Sequence, residues 1–242
     1  MSLRSVIPAR LRRALAVALR TRRAAWRAAR EPRRDAAEIF DEVYSRNIWG
    51  TGETAYYSGG GSDTRFAVPY CQAVRSFVDE LHIERPVIVD LGCGDFRVGQ
   101  ALVEDWDVDY VGLDVVPAMI EHHEQHHARE GVRFVCADVV AENLPPGAVC
   151  LVRQVLQHLS NDQIRTVLTK LERYPHVLVT EHYPADETTA IPNLGKALFA
   201  DARLAENSGV YLDRPPYSPA VPPPLAMPAE PGEIRIFALA AK

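Results

Sequence analysis

The residues V-I-V-D-L-G-C-G-D-F, 87–96, constrain this chain more than any other stretch. A β-branched, apolar run carries Asp90 near its end and leads into Gly92 and Gly94, spaced by one residue. A continuous Val/Ile/Leu run is the pattern of a strand buried on both faces of a parallel sheet. Glycines at its carboxyl end let a ligand approach the backbone where the next helix begins. A second apolar run, V-G-L-D at 111–114, closes on Asp114, 24 residues after Asp90. That acid falls at the tip of a neighbouring strand, where a carboxylate can accept hydrogen bonds from both hydroxyls of a ribose. Together the two segments predict a ligand that contains a nucleoside.

The rest of the chain repeats the alternation. Strands are expected near 86–91, 110–114, 132–137, 148–153 and 176–181, with helices near 96–105, 117–129 and 161–173 between them. That order predicts an α/β fold, a doubly wound and mostly parallel sheet. Asn161 and Asp162 are expected to cap the last of those helices. Upstream, helical spacing covers Asp35 to Asn47 and 66–83, separated by the glycine-rich loop 49–62. A loop of that length is usually functional or disordered. Downstream, one helix is expected within 187–206, and a final strand at 234–240. Between them, residues 214–232 hold eight prolines and predict an irregular cover, because proline cannot serve a central ladder.

Charge divides the chain. Residues 1–35 carry eleven Arg against Glu31 and Asp35, although the whole chain has a net charge of −5, so the remainder is strongly acidic. An acidic body argues against nucleic acid as a partner, since neutralising phosphates supplies most non-specific affinity. The basic segment 1–35 is read as an N-terminal extension to a single domain, 36–242. Leu11, Leu15, Ala18, Leu19, Trp26 and Ala29 fall near one helical face, which suits an anionic membrane surface or a protein partner, or else an extension with no dedicated role. No apolar run reaches the roughly 18 residues of a membrane span. Cys71, Cys93, Cys136 and Cys150 are too scattered for a zinc site and are read as reduced thiols of a cytoplasmic protein.

A dinucleotide site usually shows a third glycine three residues after the second, and this chain has none there, with the bulky Phe96 in the turn. Asp90 with Gly92 and Gly94, then Asp114, then a third acid in F-V-C-A-D-V-V at Asp138, resembles the class I S-adenosylmethionine-dependent methyltransferases over about residues 86–182. The resemblance implies a Rossmann-like sheet and S-adenosyl-L-methionine as methyl donor. It implies that Gly92, Cys93 and Gly94 wrap the methionine part of the donor, with Asp90 and Asp95 near its amino group. Asp114 would hold the ribose, Val115 would pack on the adenine, and Asp138 and Val139 would bond the adenine edge. In C-L-V-R-Q-V-L-Q-H-L-S, 150–160, Arg153 and Gln154 would face the donor and His158 the acceptor. Ala148 and Gln154 stand where the family often has acids. At closer range, the W-G start at 49, S-G-G-G-S at 58–62, V-P-A-M-I at 116–120 and the late P-P-Y resemble a bacterial subgroup associated with glycan and polysaccharide biosynthesis.

That subgroup implies methylation of a hydroxyl on a small acceptor, a saccharide or glycan precursor. Such a reaction needs in-line alignment and a general base. His158 is the first choice for the base, with Glu181 and His182 in V-T-E-H-Y-P as alternatives or orienting partners. Rival readings are a carboxyl- or nitrogen-directed methyltransferase of a natural product, and a catalytically inactive accessory protein that binds the donor. A magnesium ion organising the acceptor is left open. The run E-H-H-E-Q-H-H, 121–127, has pairs at i,i+4 but is read as a solvated, His-rich helix face on the outer side of the sheet, with no metal. The glycine-rich loop 49–62 and residues 205–232 are expected to close over the site and exclude water.

Overall fold

A computed structural model describes residues 34–52, 54–217, 225–229 and 232–240, together with Leu19 and Arg22. The apolar face expected of the basic extension therefore lies almost wholly outside the described residues. Two helices precede the sheet: α1, Ala36–Ser45, and α2, Thr64–Glu80. The alternating part then runs β1 Val87–Leu91, α3 Arg97–Val103, β2 Asp109–Asp114, α4 Pro117–His126, β3 Val132–Cys136, β4 Val149–Arg153, α5 Asn161–Leu171 and β5 His176–Tyr183. Beyond it come β6 Ile191–Pro192, β7 Ser208–Gly209, β8 Leu225–Pro228 and β9 Glu233–Ala240.

The main sheet has seven strands in the order β3-β2-β1-β4-β5-β9-β8. Strands β1 to β5 pair in parallel, whereas β9 runs antiparallel to β5 and to β8. The direction of winding reverses between β1 and β4, and ligands of such sheets bind outside the carboxyl ends of the strands at that point. The expected doubly wound, mostly parallel fold is thus observed.

Strand alternation explains why these strands read as unbroken apolar runs. Val89, Leu91, Val111, Leu113, Cys150 and Val152 bury against one layer, which includes Ile164, Val167 and Leu171 of α5. Ile88, Tyr110, Val149 and Leu151 bury against the other, with Tyr70, Val74 and Val78 of α2 and Leu102 of α3. Burying each Ile, Leu or Val contributes roughly 1.5–3 kcal/mol, so these layers dominate the stabilisation. Gly99 allows α3 to lie close on the sheet, because a Cβ there would stand 2.7 Å from the Phe96 ring.

Three local expectations are corrected. Ser160, not Asn161 or Asp162, caps α5, in a reciprocal box with Gln163. Asn161 instead ties the helix to the segment after β5. Its amide donates to Asn193 O (2.9 Å) and its Oδ1 accepts from Tyr217 (2.9 Å) and Arg203 (3.0 Å). Residues 187–206 form no long helix: β6 and β7 pair in a small second sheet, joined through a 3-10 turn at 203–206. Buried Asn193 organises this region by accepting from Tyr211 N (2.7 Å) and donating to the carbonyls of Tyr211 (2.9 Å), Arg214 (3.2 Å) and Pro215 (2.8 Å). Finally, part of the proline-rich stretch does join the sheet, as β8. It is an edge strand, where a proline leaves no internal ladder incomplete.

Candidate active site

One cleft opens above the carboxyl ends of β1, β2 and β4. Its lining includes Asp90, Gly92, Cys93, Gly94, Asp95, Asp114, Val115, Asp138, Val139, Arg153, Gln154 and His158. Twelve of the expected site residues are therefore brought together. Glu181 and His182 are not among the lining residues.

The glycine turn is shaped by its backbone. Gly92 and Gly94 have φ of 75° and 54°, the left-handed region that favours glycine. Phe96 (φ 62°) and Gln154 (φ 56°) enter the same region without that freedom. Non-glycine residues held there cost about 1–3 kcal/mol and cluster at functional sites. Phe96 is fixed by burial against Phe134 (4.7 Å between ring centroids) and Tyr110 (5.4 Å).

The acids at the strand tips are already bonded. Asp90 accepts from the Tyr110 hydroxyl (2.6 Å), and burial pushes its carboxyl up to about 6. Asp114 accepts from Gly94 N (3.0 Å) through Oδ2 and from Val116 N (3.2 Å) through Oδ1. Its carboxyl is likewise raised to about 6 by burial, against the pull of those N–H groups. A carboxylate has about four lone-pair positions, so Asp114, which lines the cleft, keeps acceptor capacity beyond these bonds. Asp138 Oδ1 accepts from Val140 N (2.7 Å) in a tight turn.

Asp95 binds the glycine-rich loop instead of standing open. Ser58 N and Ser62 Oγ donate to its Oδ2 (2.8 and 3.2 Å), while Asp95 N donates back to Ser58 Oγ (2.8 Å). This reciprocal clasp lays residues 58–62 across the glycine turn, and Tyr44 adds a hydroxyl contact to Ser58 (2.9 Å). Arg153 donates to Gly61 O and lies 5.0 Å from the Tyr70 ring centroid.

At the other end of the cleft, His158 lies on a 3-10 turn, 156–158, after β4. Its ring packs on Trp49 (5.2 Å) and edge-on to Phe40 (5.8 Å). Burial, helped by the charge of Lys196, lowers the imidazole to about 4, so it is neutral at physiological pH. Four lining residues carry sealed polar atoms without a hydrogen-bond partner: Arg153 Nε, Gln154 Nε2, Gln157 Oε1 and His158 Nδ1. Buried polar groups are normally paired, so this cluster leaves hydrogen-bonding capacity for water or a ligand at this end of the cleft.

Glu181 sits directly behind this end. It is 1 % exposed, accepts from Leu156 N (2.8 Å) and so holds the turn that bears His158. Burial pushes its carboxyl up to about 8, opposed by that N–H and by Arg203. His182 follows it on the strand and faces the opposite side, 3.3 Å from Ala229 O. Side chains of adjacent strand residues point to opposite faces, and neither Glu181 nor His182 is among the residues lining the cleft.

Sequence reasoning missed Gln157, Phe40, Tyr70 and Leu198 as lining residues, and also the clasp role of Ser58. Gln157 lay inside the L-Q-H-L-S run and was available as a signal. The clasp joins positions 37 residues apart, which no local pattern encodes. Of the two expected cover segments, 49–62 supplies Trp49, Ser58, Gly61 and Ser62. Beyond β5 the lining residue is Leu198, with none from the described part of 205–232.

The His-rich helix α4 also departs from expectation. His123 is buried, and its Nε2 lies 2.7 Å from Gly94 O, against the back of the glycine turn. The helix face is therefore not wholly solvated. Among the described residues, the one cluster spaced to hold a metal is His122, His123 and His127. No helix among them is long and apolar enough to cross a membrane.

No curated protein matches this sequence. Solved structures share the fold. The N-methyltransferase NodS from Bradyrhizobium japonicum, in complex with S-adenosyl-L-homocysteine, aligns at a TM-score of 0.53 and 12% identity, over 73% of this chain and 87% of that one. The Burkholderia thailandensis 1,6-didemethyltoxoflavin N1-methyltransferase aligns at 0.53 and 17%, over 88% and 93% of the two chains. Magnesium protoporphyrin IX methyltransferase from Synechocystis, with bound S-adenosylmethionine, aligns at 0.52 and 15%, over 86% and 98%. At these identities the likeness is one of fold. Residues 88–175, which carry the glycine turn, Asp114, Asp138 and the run containing His158, match the family described as a methyltransferase domain.

Proposed function

We propose that this protein transfers the methyl group of S-adenosylmethionine to a hydroxyl of a small acceptor, a saccharide or glycan precursor. The family match over residues 88–175 supports methyl transfer. The residues present suit the donor: the left-handed glycines leave backbone open at the turn, and Asp114 keeps lone pairs for two ribose hydroxyls. Asp138 and the Val139 backbone bond the adenine edge, with Val115 on its face. Gly92, Cys93 and Gly94 hold the methionine part, with Asp90, Arg153 and Gln154 facing it. Asp95 acts through its hold on the glycine-rich loop.

The observation that carries the acceptor reading is the far end of the cleft. There a neutral imidazole, two amides with unpartnered atoms and the rings of Trp49 and Phe40 converge. Aromatic faces with amide donors and acceptors match the alternating apolar and hydroxylated surfaces of a sugar. The bound donor supplies an electrophilic methyl carbon. An acceptor oxygen forms the new bond to it while the carbon–sulfur bond breaks and its electron pair stays on sulfur. A ring nitrogen of His158 takes the hydroxyl proton. Alignment of the three reacting centres contributes up to ~7–11 kcal/mol, and the base about 10²–10⁴-fold.

A labelled-methyl transfer screen against saccharides, phenols, carboxylates and amines, with and without magnesium, tests this. Transfer to saccharide hydroxyls is the expected outcome. Exclusive transfer to nitrogen or carboxylate acceptors would refute the hydroxyl reading, and absence of donor binding by calorimetry would refute methyl transfer itself.

A further inference from the structure

We infer that His122, His123 and His127 form a zinc site on the outer side of the glycine turn, separate from the cleft. One ring nitrogen from each lies within 4.8 Å of those of the other two. The decisive residue is His123. It is 1 % exposed, and its Nε2 stands 2.7 Å from the carbonyl oxygen of Gly94, which can only accept. Nε2 therefore carries the proton, and Nδ1 carries a lone pair. That Nδ1 is sealed and has no hydrogen-bond partner.

An imidazole that donates one nitrogen to a backbone carbonyl and offers the other as a lone pair is the arrangement found at metal-ligating histidines. Here the carbonyl sets the tautomer before any ion arrives. His122 and His127 supply the other two donors from half-exposed positions on the same helix end, with ring centroids 5.9 and 5.5 Å from that of His123. Zinc–nitrogen bonds of about 2.0–2.1 Å need ligand atoms roughly 3.3 Å apart, so these two rings swing inward on binding. Three imidazoles and a water make a four-coordinate site, and imidazole sets suit zinc over magnesium or calcium. Tyr56 closes one side, its ring 5.5 Å from that of His122.

His126 is the internal control. It is not among the histidines whose ring nitrogens converge, and its Nδ1 bonds His122 O (2.8 Å) within the helix. The site does not depend on the methyl-transfer reading. Only its consequence does: zinc on Nδ1 makes Nε2–H a stronger donor to Gly94, and so couples occupancy to donor affinity.

The test uses the full chain, stripped by a chelator and free of methyl donor and acceptor. Zn²⁺ is titrated against a chromophoric competitor, and Co²⁺ is followed by its visible absorption. One equivalent with a Kd below about 1 μM is expected, with a tetrahedral cobalt spectrum. His122→Gln and His127→Gln should each weaken binding by about tenfold or more, and His126→Gln by no more than about twofold. These are surface substitutions, so buried His123 need not be altered. Absence of saturable binding, or equal losses in all three variants, would overturn the site.

Discussion

The two ends of the cleft are built on opposite principles. At the glycine-turn end, every acid has partners within the protein: Asp90 with Tyr110, Asp114 with Gly94 and Val116, Asp95 with Ser58 and Ser62. At the His158 end, polar atoms of Gln154, Gln157 and His158 are sealed with none. An unsatisfied buried polar atom costs about 1–3 kcal/mol. The first end is therefore stable as it stands and uses spare lone pairs for its ligand. The second leaves polar atoms to be satisfied by water or by a ligand. A preorganised donor pocket beside an unfinished acceptor pocket suits an enzyme that binds one constant ligand and one specific one.

That contrast breaks most sharply at His158. His158→Ala should lower turnover about 10²–10⁴-fold while donor affinity, measured by calorimetry with S-adenosylhomocysteine, stays within about twofold. Normal turnover would remove His158 as the base. Asp114→Ala should do the converse and weaken donor binding at least about 100-fold, since two bonds to a charged group contribute about 1.5–3 kcal/mol each. Ser58→Ala sits between the ends. Losing its bonds to Asp95 and Tyr44 should lower stability by about 1–3 kcal/mol in denaturant titration and raise the donor KM severalfold.

The smallest effect is a pH slope. Glu181 is raised from an ordinary 4.5 to about 8 by burial. Its folded form holds a proton that the unfolded chain releases, so its contribution is fully present below pH 4.5 and is lost as pH rises through 8. Glu181→Gln should flatten the fall of Tm across that window. An unchanged slope would mean that other groups set it.

The glycine-turn end was legible in the sequence and the His158 end largely was not. Asp90, Asp114 and Asp138 could be placed because each closes a continuous apolar run, and strand period alone puts it at a tip. His158 was placed by its distance from β4. Its environment was not, because Phe40, Trp49 and Leu198 reach it from distant segments. His182 was grouped with Glu181 by adjacency, although period two sends neighbouring side chains to opposite faces. The segment after β5 read as a helix because its local composition allowed one. Asn193, reaching across to Tyr211, Arg214 and Pro215, overrides that preference.

The antiparallel strand β9 sets the order in which the molecule can be finished during synthesis. Every residue of β5 from His176 to Tyr183 pairs with one of β9, Glu181 opposite Arg235. While residues 184–232 are being made, β5 is a bare edge, open to pairing with another nascent chain. The strands whose tips form the glycine-turn end of the cleft are complete by Arg153, so that end is assembled early. The strand that steadies the turn bearing His158 pairs with β4 first and gains its second neighbour only when residues 233–240 emerge. Chains released before that point would carry a nearly whole glycine-turn end on an adhesive sheet edge, and aggregation would be their first failing.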